Sequence, residues 1–171
     1  MSAVRDSAAD STAIFVRRRL DCGFDEIWRA VTSPESISVW FTPCHLGPGG
    51  RYSLRFTEDS GESYFKYATV LGCARHATHG EYRFLLQDEG YRDSMVEVRV
   101  IADGGAGSTL ELRHLHPPPE LVDGYTRGWA DYLDALRRHL AETAPPPSPA
   151  SSPERAPSPV QAPESRARSP R

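Results

Sequence analysis

A few side chains in this 171-residue chain stand at spacings that chemistry uses. His114 and His116 form a His-x-His pair, and on a strand residues two apart share a face, so the two imidazoles can in principle chelate a metal. His76 and His79 form a His-x-x-His pair. No cysteine pair at zinc spacing accompanies either, so the simpler expectation is an interior His114, an exposed His116 beside Pro117, and no metal or cofactor. Cys44-His45 suggests a thiol nucleophile. Only the neighbouring imidazole stands near enough in sequence to activate that thiol, however, and no third group stands ready to orient it. Acid–base chemistry on an enolisable substrate needs a tyrosine, histidine or carboxylate within hydrogen-bond reach, and His114, Tyr125, Arg55 and Arg83 have usable side chains. The two arginines fall on the strand parity opposite Tyr52 and Tyr82, which places them on a solvated outer face. Arg17-Arg18-Arg19 can bind phosphate or make salt bridges across a sheet surface, and the acidic body favours the salt bridges. No catalytic set emerges, and binding is favoured over catalysis.

The elements that must position these residues are legible from periodicity. Ile14, Val16 and Leu20 share one parity in a first strand over residues 13–20. Phe24, Ile27, Trp28 and Val31 then recur at helical spacing, with Asp25 and Glu26 in the first turn where the helix dipole favours them. Ser33-Pro34 ends that helix and starts a second short one, with Ser33 as cap and Pro34 at the first helical position. Gly47-Pro48-Gly49-Gly50 reads as a turn into Arg51 to Phe56, where Tyr52, Leu54 and Phe56 face inward. Asp59-Ser60-Gly61 is a hairpin signal. Further strands follow over residues 64–73, 81–86, 95–101 and 109–115, separated by Asp88-Glu89-Gly90 and by a glycine-rich loop at residues 103–107. Pro117-Pro118-Pro119 stops the last strand. Val122, Tyr125, Trp129, Tyr132, Leu133, Leu136 and Leu140 then recur every three or four residues through a helix of about five turns. Gly128 beside Trp129 is expected to let that helix approach the sheet closely.

Composition bounds the rest. The chain carries 20 basic and 23 acidic residues, a net charge of −3. From Ala144 onward Pro, Ser, Ala and Arg dominate, a composition that cannot bury a core, so residues 144–171 read as a disordered tail and residues 1–12 as a flexible N-terminus. The tail holds two glutamates and four arginines, a net of +2, which leaves −5 for the remainder. An acidic body argues against a nucleic-acid partner. The tail's four Ser-Pro steps read as a passive solvated extension rather than as modification sites or a polyproline ligand. No apolar run approaches a membrane span and no signal-peptide core opens the chain, so a cytoplasmic location is expected, in keeping with three isolated cysteines, Cys22, Cys44 and Cys73.

The order of these elements carries a resemblance. Ile27-Trp28, Thr32-Ser33-Pro34-Glu35, Trp40-Phe41, Gly49-Gly50-Arg51, Thr109-Leu110-Glu111-Leu112-Arg113-His114 and Gly128-Trp129-x-x-x-Leu133-x-x-Leu136 together resemble the activator-of-heat-shock-protein-90-ATPase homology family of the START-like (SRPBCC) superfamily. The resemblance spans roughly Ala13 to Glu142. It implies an α+β helix-grip fold: a curved antiparallel sheet of about six or seven strands wrapped around a long C-terminal helix, with two short helices after the first strand. It also implies the absence of a metal. One segment departs from the family pattern, since Ala74 to Gly80 replaces a usual Pro-x-Arg-Leu stretch, and the cavity rim is expected to differ there.

A sheet gripped by one helix leaves a cavity, and superfamily members use it for lipids, sterols, hormones or polyketides. The expected lining from the sheet is Tyr52, Leu54, Phe56, Val70, Tyr82, Phe84, Val98, Leu112 and His114, with Trp40, Tyr125, Trp129 and Tyr132 contributed by the helices. Most aromatics at such spacings are ordinary core; His114 and the tyrosines are the better candidates, because a buried polar end needs a partner. The leading expectation is therefore a domain that binds a hydrophobic or amphipathic small molecule. The alternatives are a co-chaperone that engages a partner ATPase and a cyclase- or dehydratase-like enzyme. The eukaryotic activators carry a separate N-terminal domain, for which a first strand near Ala13 is expected to leave no room. A monomer or homodimer is expected, because an exposed strand edge can pair.

Overall fold

The structure is a computed structural model that describes residues 13–143 apart from residue 59. The expected N-terminal segment, the tail with its Ser-Pro steps, and the first residue of the expected hairpin signal lie outside the described residues. Strand β1 (Ala13–Leu20) is followed by helices α1 (Phe24–Thr32) and α2 (Pro34–Trp40) and a short strand β2 (Cys44–Leu46). A meander of β3 (Arg51–Thr57), β4 (Ser63–Arg75), β5 (His79–Gln87), β6 (Ser94–Ala102) and β7 (Ser108–Leu115) comes next, and helix α3 (Val122–Thr143) closes the described chain. The seven strands form one sheet in the order β1-β7-β6-β5-β4-β3-β2, and every neighbouring pair is antiparallel. This is the helix-grip fold expected from the sequence.

Local chemistry explains the boundaries. The Glu26 carboxylate accepts from the Gly23 N–H at 3.1 Å, tying down one of the orphan donors at the start of α1. The Ser33 hydroxyl accepts from the Ser36 N–H at 3.4 Å, and Pro34 opens α2, which is the capping arrangement the sequence suggests. Gly49 and Gly50 adopt φ of 71° and 73°, the left-handed turn that swings the chain from β2 into β3. Strand β2 is not anticipated by the sequence reading, because three residues are too few for a two-residue alternation to register. Helix α3 runs for 22 residues, about one turn longer than its apolar periodicity indicates.

The sheet buries one face. Ile14, Val16, Tyr52, Leu54, Ala68, Tyr82, Leu86, Val96, Val98, Val100, Leu110 and Leu112 pack against Ile27, Trp28 and Val31 of α1 and against Trp129, Leu133, Leu136 and Leu140 of α3. The opposite face is a lattice of alternating charge, with Glu81, Arg83, Glu97, Arg99, Glu111 and Arg113 side by side and Arg17 reaching Glu111 at 3.6 Å. Arg83 lies there and Arg55 is likewise exposed, on the outer face that their parity indicated. The three consecutive arginines of β1 make salt bridges: Arg18 pairs with Asp134 of α3 at 3.6 Å and Arg19 with Asp103 at 3.3 Å.

The close approach expected at Gly128 occurs elsewhere. A Cβ added to Gly128 would make only an ordinary contact with the Tyr132 ring, whereas one added to Gly80 on β5 would overlap the Trp28 indole of α1. The glycine that the packing requires is therefore the one beneath Trp28, at the start of β5.

Candidate functional site

Between the sheet and α3 lie two adjoining chambers. The inner one, about 60 Å³, is lined by Val31, Ile37, Trp40, Tyr52, Ala68, Tyr82, Val98, Leu110, Leu112 and Leu133. The outer one, about 270 Å³, is bordered by Phe56, Tyr64, Lys66, Leu86, Leu121, Gly124, Tyr125, Gly128 and Tyr132. Phe41, Leu54, Phe84 and Trp129 line both and form the wall between them. The inner one falls well short of ligand-site volumes. The outer one approaches the lower end of ligand-site volumes, about 300 Å³. Of these two, the ligand-sized one is the outer chamber, at the end of the sheet where α3 begins.

The wall is aromatic. Phe41, at the end of α2, stacks with Trp129 at 5.9 Å between ring centroids and meets Tyr132 edge-on at 4.4 Å. Phe56 adds an edge contact to Phe41 at 5.9 Å. Rings held at these separations and tilts are in the range that aromatic pairs favour. Trp40 turns its indole N–H away from the cavity and donates to the Ala30 carbonyl at 2.8 Å. Its ring is therefore left as an apolar surface of the inner chamber.

Polar groups gather on the outer chamber's floor. Lys66 Nζ lies 2.6 Å from Asp88 Oδ1 and 3.1 Å from the Tyr125 hydroxyl, and that hydroxyl donates to Asp88 Oδ2. The Asp88 side chain is 5% exposed and that of Lys66 19%, so the pair is largely withdrawn from water. Burial, reinforced by the neighbouring Asp88 carboxylate, pushes the Tyr125 phenol well above its ordinary pKa, so it stays protonated. Behind this cluster, fully buried His114 accepts at Nδ1 from the Trp129 indole N–H at 3.1 Å, while its Nε2 faces the Ser94 hydroxyl at 2.7 Å. An indole N–H only donates, so Nδ1 is the bare nitrogen and Nε2 carries the proton that goes to Ser94. Burial above all, with some repulsion from Lys66, lowers His114 to about 4 against the opposing pull of Asp88.

Most of the expected lining residues border one chamber or the other. Trp40, Tyr52, Tyr82, Val98 and Leu112 line the inner chamber, Phe56, Tyr125 and Tyr132 the outer, and Leu54, Phe84 and Trp129 both. Two do not. Val70 sits beneath the glycine turn, where a Cβ on Gly50 would stand 3.5 Å from its own Cβ. His114 lies behind Trp129 and reaches neither chamber. The sequence reading overlooked Phe41, Lys66 and Asp88, yet strand parity contained a signal for two of them. Lys66 lies between inward-facing Tyr64 and Ala68 and pairs with Leu54, and Asp88 continues the inward series Tyr82, Phe84, Leu86.

The other candidates do not assemble into sites. The thiol of Cys44 faces the Ser38 hydroxyl at 3.2 Å and the Pro34 carbonyl at 3.4 Å, whereas His45, next along the strand, is exposed. The imidazoles of His76 and His79 stack at 4.4 Å between centroids in the β4–β5 hairpin. His116 adopts φ 54°, which turns the chain out of β7, and it is exposed where His114 is buried. Among the described residues no group of three His, Cys, Asp or Glu side chains is placed to hold a metal, and no helix is long and apolar enough to cross a membrane. The departing segment at residues 74–80 lines neither chamber.

This architecture is shared. The profile of the family described as "Activator of Hsp90 ATPase homolog 1-like protein" matches residues 21–141. The chain belongs to that family. Among solved structures it is similar to CalU16 from Micromonospora echinospora, with 28% identity over 80% of this chain and 78% of that one and a TM-score of 0.64. DynU16, of the dynemicin biosynthetic locus, shares 21% identity over 77% of this chain and 47% of that one, with a TM-score of 0.59. A START superfamily protein from Mycobacterium smegmatis shares 14% identity over 77% of this chain and 99% of that one, with a TM-score of 0.64. These neighbours share the helix-grip fold of this chain. No curated protein matches the chain.

Proposed function

We propose that this START-like family member binds an apolar or amphipathic small molecule in the outer chamber. The observation that carries the reading is a ligand-sized space with aromatic walls and a charge-balanced polar cluster, in which Lys66 and Tyr125 border the space and are both tied to buried Asp88. Apolar concavities with few, well-placed polar groups are the usual form of small-molecule sites. Binding is favoured over catalysis. His114, the one buried imidazole, has both nitrogens engaged, and Asp88 and Tyr125 are committed to each other. The cyclase- or dehydratase-like alternative requires one of these groups to be released as an acid or base. The co-chaperone alternative rests on the family's description, and a pull-down against the host's heat-shock protein 90 tests it.

The binding reading is tested by native mass spectrometry of protein purified from its own host, paired with organic extraction. A stoichiometric small molecule in the wild type that is lost in Gly124→Leu supports the outer chamber as its site. An empty protein that also fails to bind apolar probes overturns the reading.

A further inference from the structure

We infer that the outer chamber selects aromatic ligands bearing a neutral hydrogen-bond acceptor, a ketone or quinone carbonyl, and that the Lys66 ammonium is the group that receives it. The inference deepens the binding reading above and rests on it.

An ammonium has three N–H groups and no acceptor. Two of those of Lys66 are taken by Asp88 Oδ1 at 2.6 Å and by the Tyr125 oxygen at 3.1 Å; the third has no hydrogen-bond partner among the described residues, the ammonium otherwise meeting only ring faces, Phe56 at 5.8 Å and Tyr125 at 4.7 Å. Lys66 itself borders the chamber. Its neighbours cannot take over the role: the Tyr125 proton is given to Asp88 Oδ2, and the Trp129 indole N–H to His114. The phenols of Tyr64 and Tyr132 also border the chamber, but a phenol both donates and accepts and so does not discriminate between ligand heads. Lys66 only donates, and it sets the sign of the preference.

Charge then narrows the acceptor. The Lys66–Asp88 pair is already neutral as a unit. A carboxylate head would bring a second anion beside a buried Asp88 and would have to shed its water to enter, a cost the pair cannot fully offset. A carbonyl needs one donor and brings no charge. The body of the ligand follows from the walls, since Phe41, Phe56, Phe84 and Trp129 offer ring surfaces suited to a flat aromatic partner.

The test uses three probes of nearly equal size, 2-acetylnaphthalene, 2-ethylnaphthalene and 2-naphthoate, with dissociation constants measured by equilibrium dialysis on the full chain. In the wild type the ketone is expected to bind about tenfold tighter than the ethyl compound, the worth of one hydrogen bond to a charged donor, and the carboxylate no tighter than the ketone. In Lys66→Met the ketone preference is expected to shrink to about twofold or less, and in Lys66→Arg to persist. Equal binding of ketone and ethyl compound, tightest binding of the carboxylate, or a preference that survives Lys66→Met overturns the head-group assignment while leaving the chamber a binding site. Failure of all three probes to bind overturns both. The wild-type comparison decides without any variant, so a Lys66→Met protein that fails to fold does not shield the inference.

Discussion

Trp129 and His114 are fixed as donor and acceptor, with the indole Nε1 of one 3.1 Å from Nδ1 of the other in a wholly buried setting. The bond leaves the imidazole neutral and makes it a strut behind the cavity wall. Protonating Nδ1 would set two N–H groups against each other.

That arrangement gives stability a defined pH dependence. His114 binds its proton near 6.5 when unfolded and near 4 when folded. Between those values the unfolded chain holds the extra proton, so this contribution is complete above about pH 6.5 and is lost as the pH falls toward 4. The full contribution is on the order of 3 kcal/mol, of which about 2 kcal/mol is expected to be gone by pH 5. Urea unfolding at pH 7 and pH 5 measures it. His114→Gln, which can still accept from Trp129 and donate to Ser94, should flatten this part of the profile; an unchanged slope would contradict the buried neutral imidazole.

The polar cluster should respond unequally to loss of its members. Tyr125→Phe leaves the Lys66–Asp88 pair intact but removes two hydrogen bonds to charged groups, and should cost about 2 kcal/mol. Lys66→Met strands a nearly buried carboxylate and should cost more, up to about 3 kcal/mol. Denaturant midpoints of the two variants, compared at pH 7, give the order directly.

Gly124 and Gly128 lie one turn apart on α3 and border the outer chamber, and a Cβ on Gly124 would meet nothing. Gly124→Leu is therefore expected to leave stability unchanged or raise it by up to about 0.5 kcal/mol, because leucine favours the helix. Its side chain would occupy the chamber's border, and affinity for naphthalene probes should fall by about tenfold or more. Loss of binding together with loss of folding would count against this separation of roles.

Gly80→Ala tests the packing of α1 on the sheet. The new methyl overlaps the Trp28 ring, and an overpacked core of this kind typically costs about 1–3 kcal/mol. Thermal and urea melts should show the loss. Pairing the change with Trp28→Leu should recover part of it if the clash is the cause.

Much of this architecture was legible because it is local. Parity alone turned Tyr82, Phe84, Val98 and Leu112 toward the cavity, and Ser33-Pro34 marked the helix junction that the structure contains. What escaped the reading depends on distance along the chain. Lys66 and Tyr125 meet across 59 positions and Tyr125 and Asp88 across 37, and no periodicity marks such a contact. Asp88 read as loop chemistry since Glu89 and Gly90 follow it, although its place in the alternation after Leu86 pointed inward. Gly80 carried no signal of its own; the requirement for a bare backbone there comes from Trp28, 52 positions earlier.

The pairing of β1 with β7 imposes a schedule on synthesis. Ala13 has its partner at Leu115 and Leu20 at Ser108, so β1 leaves the ribosome well before β7, the strand it pairs with. The meander from β3 to β7 joins strands through short connections and is expected to order first. Until it does, β1 and α1 hold Ile14, Val16, Ile27 and Trp28 uncovered, and the interval between residue 20 and residue 115 is when the nascent chain is most open to mispairing or to capture by a chaperone.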